Sequence, residues 1–250
     1  MRGLVGGILL GAVLLLTLTA AGDESPALTN WPTSEFDFVR MYYTDGRYGG
    51  GWGRSWRTDF PEAEYHFSMG VSRLTRVDLD GQYRQVRLTD DSLFNFPWLY
   101  AVEVGRWYLD DTDAARLREY LLRGGFLMVD DFHGTLQWAA FWESMQRVFP
   151  DRQWVEITEE DPVMHVLYDL NERIQIPGIY PLLQGRTYEQ DGYVPHWRGI
   201  YDDDRLMVAI NFNMDLGDAW EHADDPRYPE PMTALAYRFA VNYVVYAMTH

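Results

Sequence analysis

The sequence predicts an α/β fold of three layers, in which a mostly parallel sheet is flanked by helices on both faces. Short runs rich in β-branched and aromatic residues alternate with segments of helical periodicity, and this alternation is typical of strand-helix-strand units. Some runs, such as Phe126–Val129, are apolar at every position, as expected of strands that are covered on both faces. We therefore expect a single sheet connected by long loops.

The first predicted elements are a strand and a helix. The strand covers residues 36–44 and ends at the turn dipeptide Asp45-Gly46. Asp59 is predicted to cap the helix that follows, with Pro61 in its first turn, because both residue types are favoured at helix starts. The helix should bury the apolar stripe that begins at Ala63.

The next segment predicts a hairpin insertion beside the main sheet. Residues 77–88 alternate around Asp80-Gly81, a dipeptide that is typical of tight hairpin turns. A strand over residues 99–104 then returns to the main sheet. Asp111 starts the helix that follows it, and paired glycines end that helix.

The stretch LLRGGFLMVDDFHG, residues 121–134, combines a helix end, a buried strand and a group of ionisable side chains. Asp130, Asp131 and His133 follow the strand Phe126–Val129 directly. Ligands of open α/β sheets gather at the carboxyl ends of strands. These three residues are therefore candidates for a catalytic or metal site.

The rest of the chain predicts further elements of the same kind. In order, they are a helix over residues 137–148, a short strand over 154–157, a brief helix over 161–170, extended loops with short strands as the alternative over 176–204, a strand over 205–212, an acidic loop over 215–225 and a final helix from Pro231.

The amino terminus predicts export. Residues 1–22 combine a lone arginine, an apolar run and small residues, which is the pattern of a secretory signal peptide, and residues 23–35 form a flexible lead-in. The expected location is therefore periplasmic or secreted, with a single domain over residues 36–250 and no stable membrane span after cleavage. An uncleaved segment that anchors the protein is the alternative.

Composition excludes several classes of function. The net charge of −17 makes nucleic acid a poor partner. All 21 basic residues are arginine, so Schiff-base chemistry by lysine is excluded. The absence of cysteine excludes disulfides, thiolate metal sites and cysteine nucleophiles.

Two further groups of residues are candidate binding sites. A glycine-rich loop after the first strand could bind a ring or an anion through residues that stack or form ion pairs: Asp45, Arg47, Trp52, Arg54, Trp56 and Arg57. In the acidic segment, Glu221 and His222 could join Asp131 and His133 in binding a divalent metal, the one cofactor considered. For both groups the alternative is a solvated surface loop.

Three segments resemble one known family: FDFVRMYYTDGRYGG, LRGGFLMVDDFHG and NFNMDLGDAWEHADDPRYPEPMTALAYRFAVNYVVYAMTH. From about Phe36 onward the chain is similar to the bacterial family known as domain of unknown function 4159. The resemblance implies a glutamine amidotransferase-like (type 1), flavodoxin-like three-layer sandwich. Amidotransferases use a cysteine nucleophile, which this chain lacks, so the resemblance implies neither that activity nor any catalytic residue.

Two main hypotheses of function follow. The first is a non-catalytic domain of the bacterial cell envelope that binds a carbohydrate, a peptide or a protein partner with its strand-end loops. The second is a metal-assisted hydrolase that uses Asp130, Asp131 and His133, joined by Asp45 or by residues of the acidic segment. A third interpretation makes the acidic surface a docking face for a membrane-associated complex.

Overall fold

A computed structural model describes residues 34–46, 55–79 and 81–250. The predicted signal peptide over residues 1–22 lies outside these ranges. The described strands are β1 (Phe38–Met41), β2 (Thr44–Asp45), β3 (Tyr83–Val86), β4 (Trp98–Val102), β5 (Trp107–Tyr108), β6 (Phe126–Asp130), β7 (Val155–Glu156), β8 (His196–Asp202) and β9 (Arg205–Phe212). The described α-helices are α1 (Glu62–Leu74), α2 (Asp111–Leu122), α3 (Gly134–Val148), α4 (Ile179–Leu183), α5 (Leu216–Glu221) and α6 (Glu230–Thr249).

Seven of these strands form the main sheet, in the order β3-β1-β4-β6-β9-β8-β7. The first five run parallel, whereas β8 and β7 are antiparallel to their neighbours. Strands β2 and β5 form a separate two-stranded sheet. The prediction of a mostly parallel sheet flanked by helices is therefore confirmed.

Side chains of the central strands alternate between two cores. In β4, Trp98 and Tyr100 pack in the core shared with α1, α5 and α6, while Leu99 and Ala101 pack in the core shared with α2 and α3. All four are fully buried. Burial of a large apolar side chain contributes about 1.5–3 kcal/mol, so apolar residues at consecutive positions stabilise a strand that is covered on both faces.

The predicted hairpin over residues 77–88 is wrong. The described part of this segment provides one strand, β3, which pairs in parallel with β1 in the register Phe38↔Tyr83. Val86 and Leu88 are buried in the core beneath α2 and α3. The alternating pattern therefore reflects a half-exposed edge strand, which has the same two-residue period as a hairpin strand.

Two segments predicted as loops contain regular structure. The region over residues 176–204 includes α4 and the seven-residue strand β8, which forms an antiparallel pair with β9. The acidic segment over residues 215–225 includes α5, whose Leu216, Ala219 and Trp220 are fully buried. The segment was predicted as a loop because a run of acidic residues usually indicates a solvated loop.

The parallel strands bring four connections to one edge of the sheet. Strands β1, β4, β6 and β9 lie side by side, so the segments that follow them meet at their common carboxyl edge. Backbone hydrogen bonds join the last two segments, since Asp131 N donates to Met214 O (3.1 Å) and Asn213 N donates to Phe132 O (3.1 Å). Within the described ranges, no helix combines the length and apolarity needed to cross a membrane.

Candidate metal centre

Three carboxylates converge at the carboxyl edge of the sheet. Asp59 lies between β1 and α1, Asp131 follows β6, and Asp215 follows β9. Each offers one oxygen, and these oxygens lie within 4.8 Å of one another. Ligands of a single Ca²⁺ or Mg²⁺ ion bind at about 2.0–2.6 Å, so they lie no more than about 5 Å apart. The three carboxylates therefore have a spacing that suits one divalent cation.

Residues with unusual backbone conformations cluster at this centre. Asp59 (φ 62°), Asp131 (φ 50°) and Glu103 (φ 55°) all have positive φ. This conformation costs a non-glycine residue of the order of 1–3 kcal/mol, and it persists only where surrounding structure enforces it. Asn213 also has positive φ (62°), and its Oδ1 accepts a hydrogen bond from Gly134 N (2.9 Å), which joins it to the connection after β6.

Asp59 does not cap α1, in contrast to the sequence prediction. The helix begins after Pro61 without a side-chain cap, and only the backbone carbonyl of Asp59 accepts a helical bond, from Ala63 N (2.9 Å). The carboxylate instead turns toward Asp131 and Asp215. Its Oδ2 atom is buried and has no hydrogen-bond partner among the described residues.

Asp130 differs in role from its neighbour Asp131. Its Oδ2 accepts hydrogen bonds from the N–H groups of Leu216 (2.8 Å) and Gly217 (2.9 Å) and from the Tyr100 hydroxyl (3.3 Å). These contacts fix the start of α5 against the end of β6. Asp130, predicted as a catalytic candidate, therefore positions the helix beside the centre.

His133 lies beside Asp131, as the sequence predicts. The two side chains approach at 3.2 Å between His133 Nε2 and Asp131 Oδ1, and the imidazole is only 4% exposed. His133 N donates to Gln137 Oε1 (2.6 Å), which holds the residue at the start of α3. Its Nδ1 is buried without a partner in the described part of the chain.

Burial and mutual repulsion dominate the pKa values of the carboxyl groups at the centre. Burial raises the pKa values of Asp59, Asp130 and Asp215 well above their usual range, and the charge of Asp131 raises each further. Burial also raises the pKa of Asp218 to about 7, although a hydrogen bond from the Ile179 backbone opposes this shift. Burial and the negative charge of Asp131 therefore both oppose ionisation of these carboxyl groups.

Two arginines near the centre already have acidic partners. Arg40 lowers the pKa of Asp59, but its guanidinium forms a fully buried ion pair with Glu64. Arg106 Nη1 lies 2.6 Å from Glu103 Oε1. Even with this partner, burial and then the charge of Asp131 raise the pKa of Glu103 to about 9.

Glycines allow the backbone to approach the carboxylates closely. A Cβ on Gly217 would lie 2.6 Å from Asp59 Oδ2, and one on Gly178 would lie 2.8 Å from Asp215 Oδ2 and 3.1 Å from Asp218 Oδ2. Real Cβ atoms essentially never lie within 3.0 Å of another side chain's atoms, so a Cβ at Gly217 or Gly178 would force Asp59 or Asp215 to shift.

The glycine-rich loop after the first strand exposes fewer candidate ligand-binding side chains than the sequence predicts. Trp56 is only 8% exposed and packs on Tyr42 with 4.5 Å between ring centroids, because it belongs to the core on the α2 and α3 face. The prediction that Trp56 offers an open stacking surface is therefore wrong. Asp45 accepts hydrogen bonds from Ser55, and the exposed Arg57 lies over the Phe60 ring. The loop's remaining candidates lie outside the described residues: Arg47, Trp52 and Arg54.

The structure separates the predicted metal ligands into two groups. Asp131 and His133 lie in the first, whereas Glu221 and His222 lie on and just after α5 beside Asp218. The sequence places Asp215 and Asp218 only in an acidic segment that could bind a cation, and it predicts Asp59 only as a helix cap. The sequence signal for the convergence of these residues is weak. Asp215 comes three residues after a predicted strand, but Asp59 lies far along the connection after β1.

Comparison with known proteins identifies a family and no named activity. The profile of a family described as "Domain of unknown function (DUF4159)" matches residues 38–248. No curated protein matches the chain.

Proposed function

Since the chain belongs to the DUF4159 family, whose description names no activity, we propose its function from the site: it binds a divalent cation with Asp59, Asp131 and Asp215 and uses that cation for hydrolysis. The observation that carries this proposal is the convergence of three carboxylates from three connections, with oxygens within 4.8 Å of one another. Burial, and then repulsion from Asp131, raises the pKa values of Asp59 and Asp215, and a bound cation would favour their ionised forms. Carboxylate oxygens favour Mg²⁺, Mn²⁺ or Ca²⁺.

Hydrolysis is the chemistry that the neighbouring groups support. A divalent cation lowers the pKa of bound water and so provides a nucleophile near neutral pH. His133, in contact with Asp131, can carry a proton to or from the site.

Metal-assisted hydrolysis competes with a non-catalytic binding or assembly role in the bacterial envelope. Burial of Trp56 weakens the binding role, because that side chain was part of its proposed ligand surface. We propose periplasmic or secreted localisation and a glutamine amidotransferase-like fold as part of either role. These two features rest on the amino-terminal sequence pattern and on the family resemblance.

Metal binding by the purified protein tests the proposal. We expect calorimetry with Mg²⁺, Mn²⁺ and Ca²⁺ to detect binding that Asp131→Asn and Asp215→Asn each weaken by about tenfold or more. Asp151→Asn is the matched control, because Asp151 is an exposed acid that pairs with Arg118. If the wild type binds none of these cations, or if the two centre variants bind like the control, the site is wrong.

A second assay separates hydrolysis from simple binding. Metal-dependent cleavage of nitrophenyl ester and phosphate probes that His133→Gln and Asp131→Asn both abolish would support hydrolysis. Metal binding without cleavage of any probe would favour the binding or assembly role, with the cation as a structural element.

A further inference from the structure

Helix α5 and the residue that follows it present a second set of side chains that could ligate a metal. Asp218, Glu221 and His222 each offer one ligand atom, and these atoms lie within 4.8 Å of one another. His222 Nε2 lies 3.5 Å from Asp218 Oδ1 and 3.8 Å from Glu221 Oε2. The three residues occupy positions i, i+3 and i+4, which share one helix face. The set therefore combines two carboxylates with an imidazole.

This second set adjoins the first. Asp215 Oδ1 accepts a hydrogen bond from Asp218 N (2.8 Å). Asp215 Oδ2 and Asp218 Oδ2 lie 2.8 Å and 3.1 Å from a single point, the position that a Cβ on Gly178 would take. The carboxylates of the two sets are thus neighbours within one acidic volume.

Two buried oxygens around this volume have no hydrogen-bond partner in the part of the chain that the structure describes. One is Oδ1 of Asp130, whose side chain is completely buried and whose other oxygen holds the first residues of α5. The other is Oδ2 of Asp59, which lies 2.6 Å from the Cβ position of Gly217 in α5. A buried carboxylate oxygen without a donor is costly, and cations at the centre would offset that cost.

We propose that the acidic centre binds two divalent cations, the second held by Asp218, Glu221 and His222. This inference rests on the proposed function, which assigns the first cation to Asp59 and its partners. An imidazole among the ligands favours a transition metal such as Zn²⁺ over Mg²⁺ at the second position, and the two carboxylates also suit Mn²⁺. Paired cations in hydrolytic sites lie about 3.5–4 Å apart and stabilise both the attacking and the leaving oxygen.

The number of Mn²⁺ ions bound per full chain tests this inference. We expect calorimetry and elemental analysis to give two in the wild type and one in His222→Gln. Glu221→Gln should lose the same ion, and it serves as an independent variant if His222→Gln does not fold. His165→Gln is the matched control, because His165 likewise pairs with an acid four residues away in sequence, Asp169, at 2.8 Å on the surface. The control should retain both ions.

Electron paramagnetic resonance of the Mn²⁺-loaded chain provides a second measurement. Two neighbouring ions should give an exchange-coupled spectrum, and His222→Gln should convert it to the spectrum of an isolated ion. One ion per chain in the wild type, retained in both variants, would overturn the second site and leave the first intact. Two ions that survive both substitutions would overturn the assignment to α5, and no bound ion would overturn both proposals.

Discussion

Replacing Asp218 by asparagine tests whether the metal-free centre destabilises the fold. Burial raises the pKa of this carboxyl from its ordinary value of 3.8 to about 7, and the side chain is only 11% exposed. One pKa unit corresponds to about 1.4 kcal/mol, so the ionised carboxylate reduces the free energy of unfolding by about 4 kcal/mol above pH 7. Asparagine lacks this charge and retains an oxygen that can accept the bond from Ile179 N (2.6 Å).

The pH dependence has a definite sign. An acid whose pKa is raised on folding leaves stability intact below its unfolded pKa, near pH 4, and reduces it as pH rises toward the folded value of about 7. In the presence of a chelator, we therefore expect Asp218→Asn to match the wild type at about pH 4 and to exceed it at about pH 8. With Mn²⁺ at about pH 8 the order should reverse, because the variant lacks a ligand.

Urea unfolding followed by tryptophan fluorescence measures these differences. The wild type, Asp218→Asn and the control Asp151→Asn are compared at both pH values, with chelator and with Mn²⁺. A variant that is less stable than the wild type at about pH 8 in chelator would refute the reasoning, because burial of the charge would then stabilise the fold.

Three further substitutions test the surrounding structure. Gly217→Ala places a Cβ 2.6 Å from Asp59 Oδ2 and should weaken Mn²⁺ binding by about tenfold in calorimetry; wild-type affinity would show that the close approach is not needed. Tyr43→Phe removes an O–H that donates to two carbonyls at the end of β4 (2.8 and 3.1 Å) and should lower the free energy of unfolding by about 1 kcal/mol; an unchanged urea midpoint would contradict this. Arg40→Met leaves the buried Glu64 without its partner and should lower the free energy of unfolding by about 3–5 kcal/mol. Replacing Glu64 by Met as well should restore part of this loss. A smaller loss in the single variant would argue against a charged pair.

The sequence predicted the strands whose local signal is strong. Residues 126–129 and 205–212 are apolar over most of their length, and both form central parallel strands. The hairpin prediction failed over residues 77–88 because local alternation does not reveal which strand will be the partner. Helix α5 was not predicted because its acidic residues indicated a solvent-exposed loop. In the structure these residues are directed toward the centre.

The candidate site could be predicted only where its residues are close in sequence. Asp131 and His133 lie two residues apart after one strand, so their proximity was expected. Asp59 and Asp215 join them only because β1, β6 and β9 end at one edge, and strand order is a property of the whole fold. No local pattern at Asp59 distinguishes a ligand from a helix cap.

Hydrogen bonds join the connections after β6 and β9 to each other, whereas the connection after β1 contributes Asp59 separately. The carboxylates of the centre are therefore not all held equally firmly. Asp131 and Asp215 belong to a single stiff frame, since Asp131 N is bonded to Met214 O, directly before Asp215 in the chain. Asp59 comes from a separate connection, and the Oδ2 atom of its carboxylate has no hydrogen-bond donor among the described residues. A cation bound by all three would therefore link the connection after β1 to the connections after β6 and β9. Cation binding would then also fix these three connections against one another at this edge of the sheet.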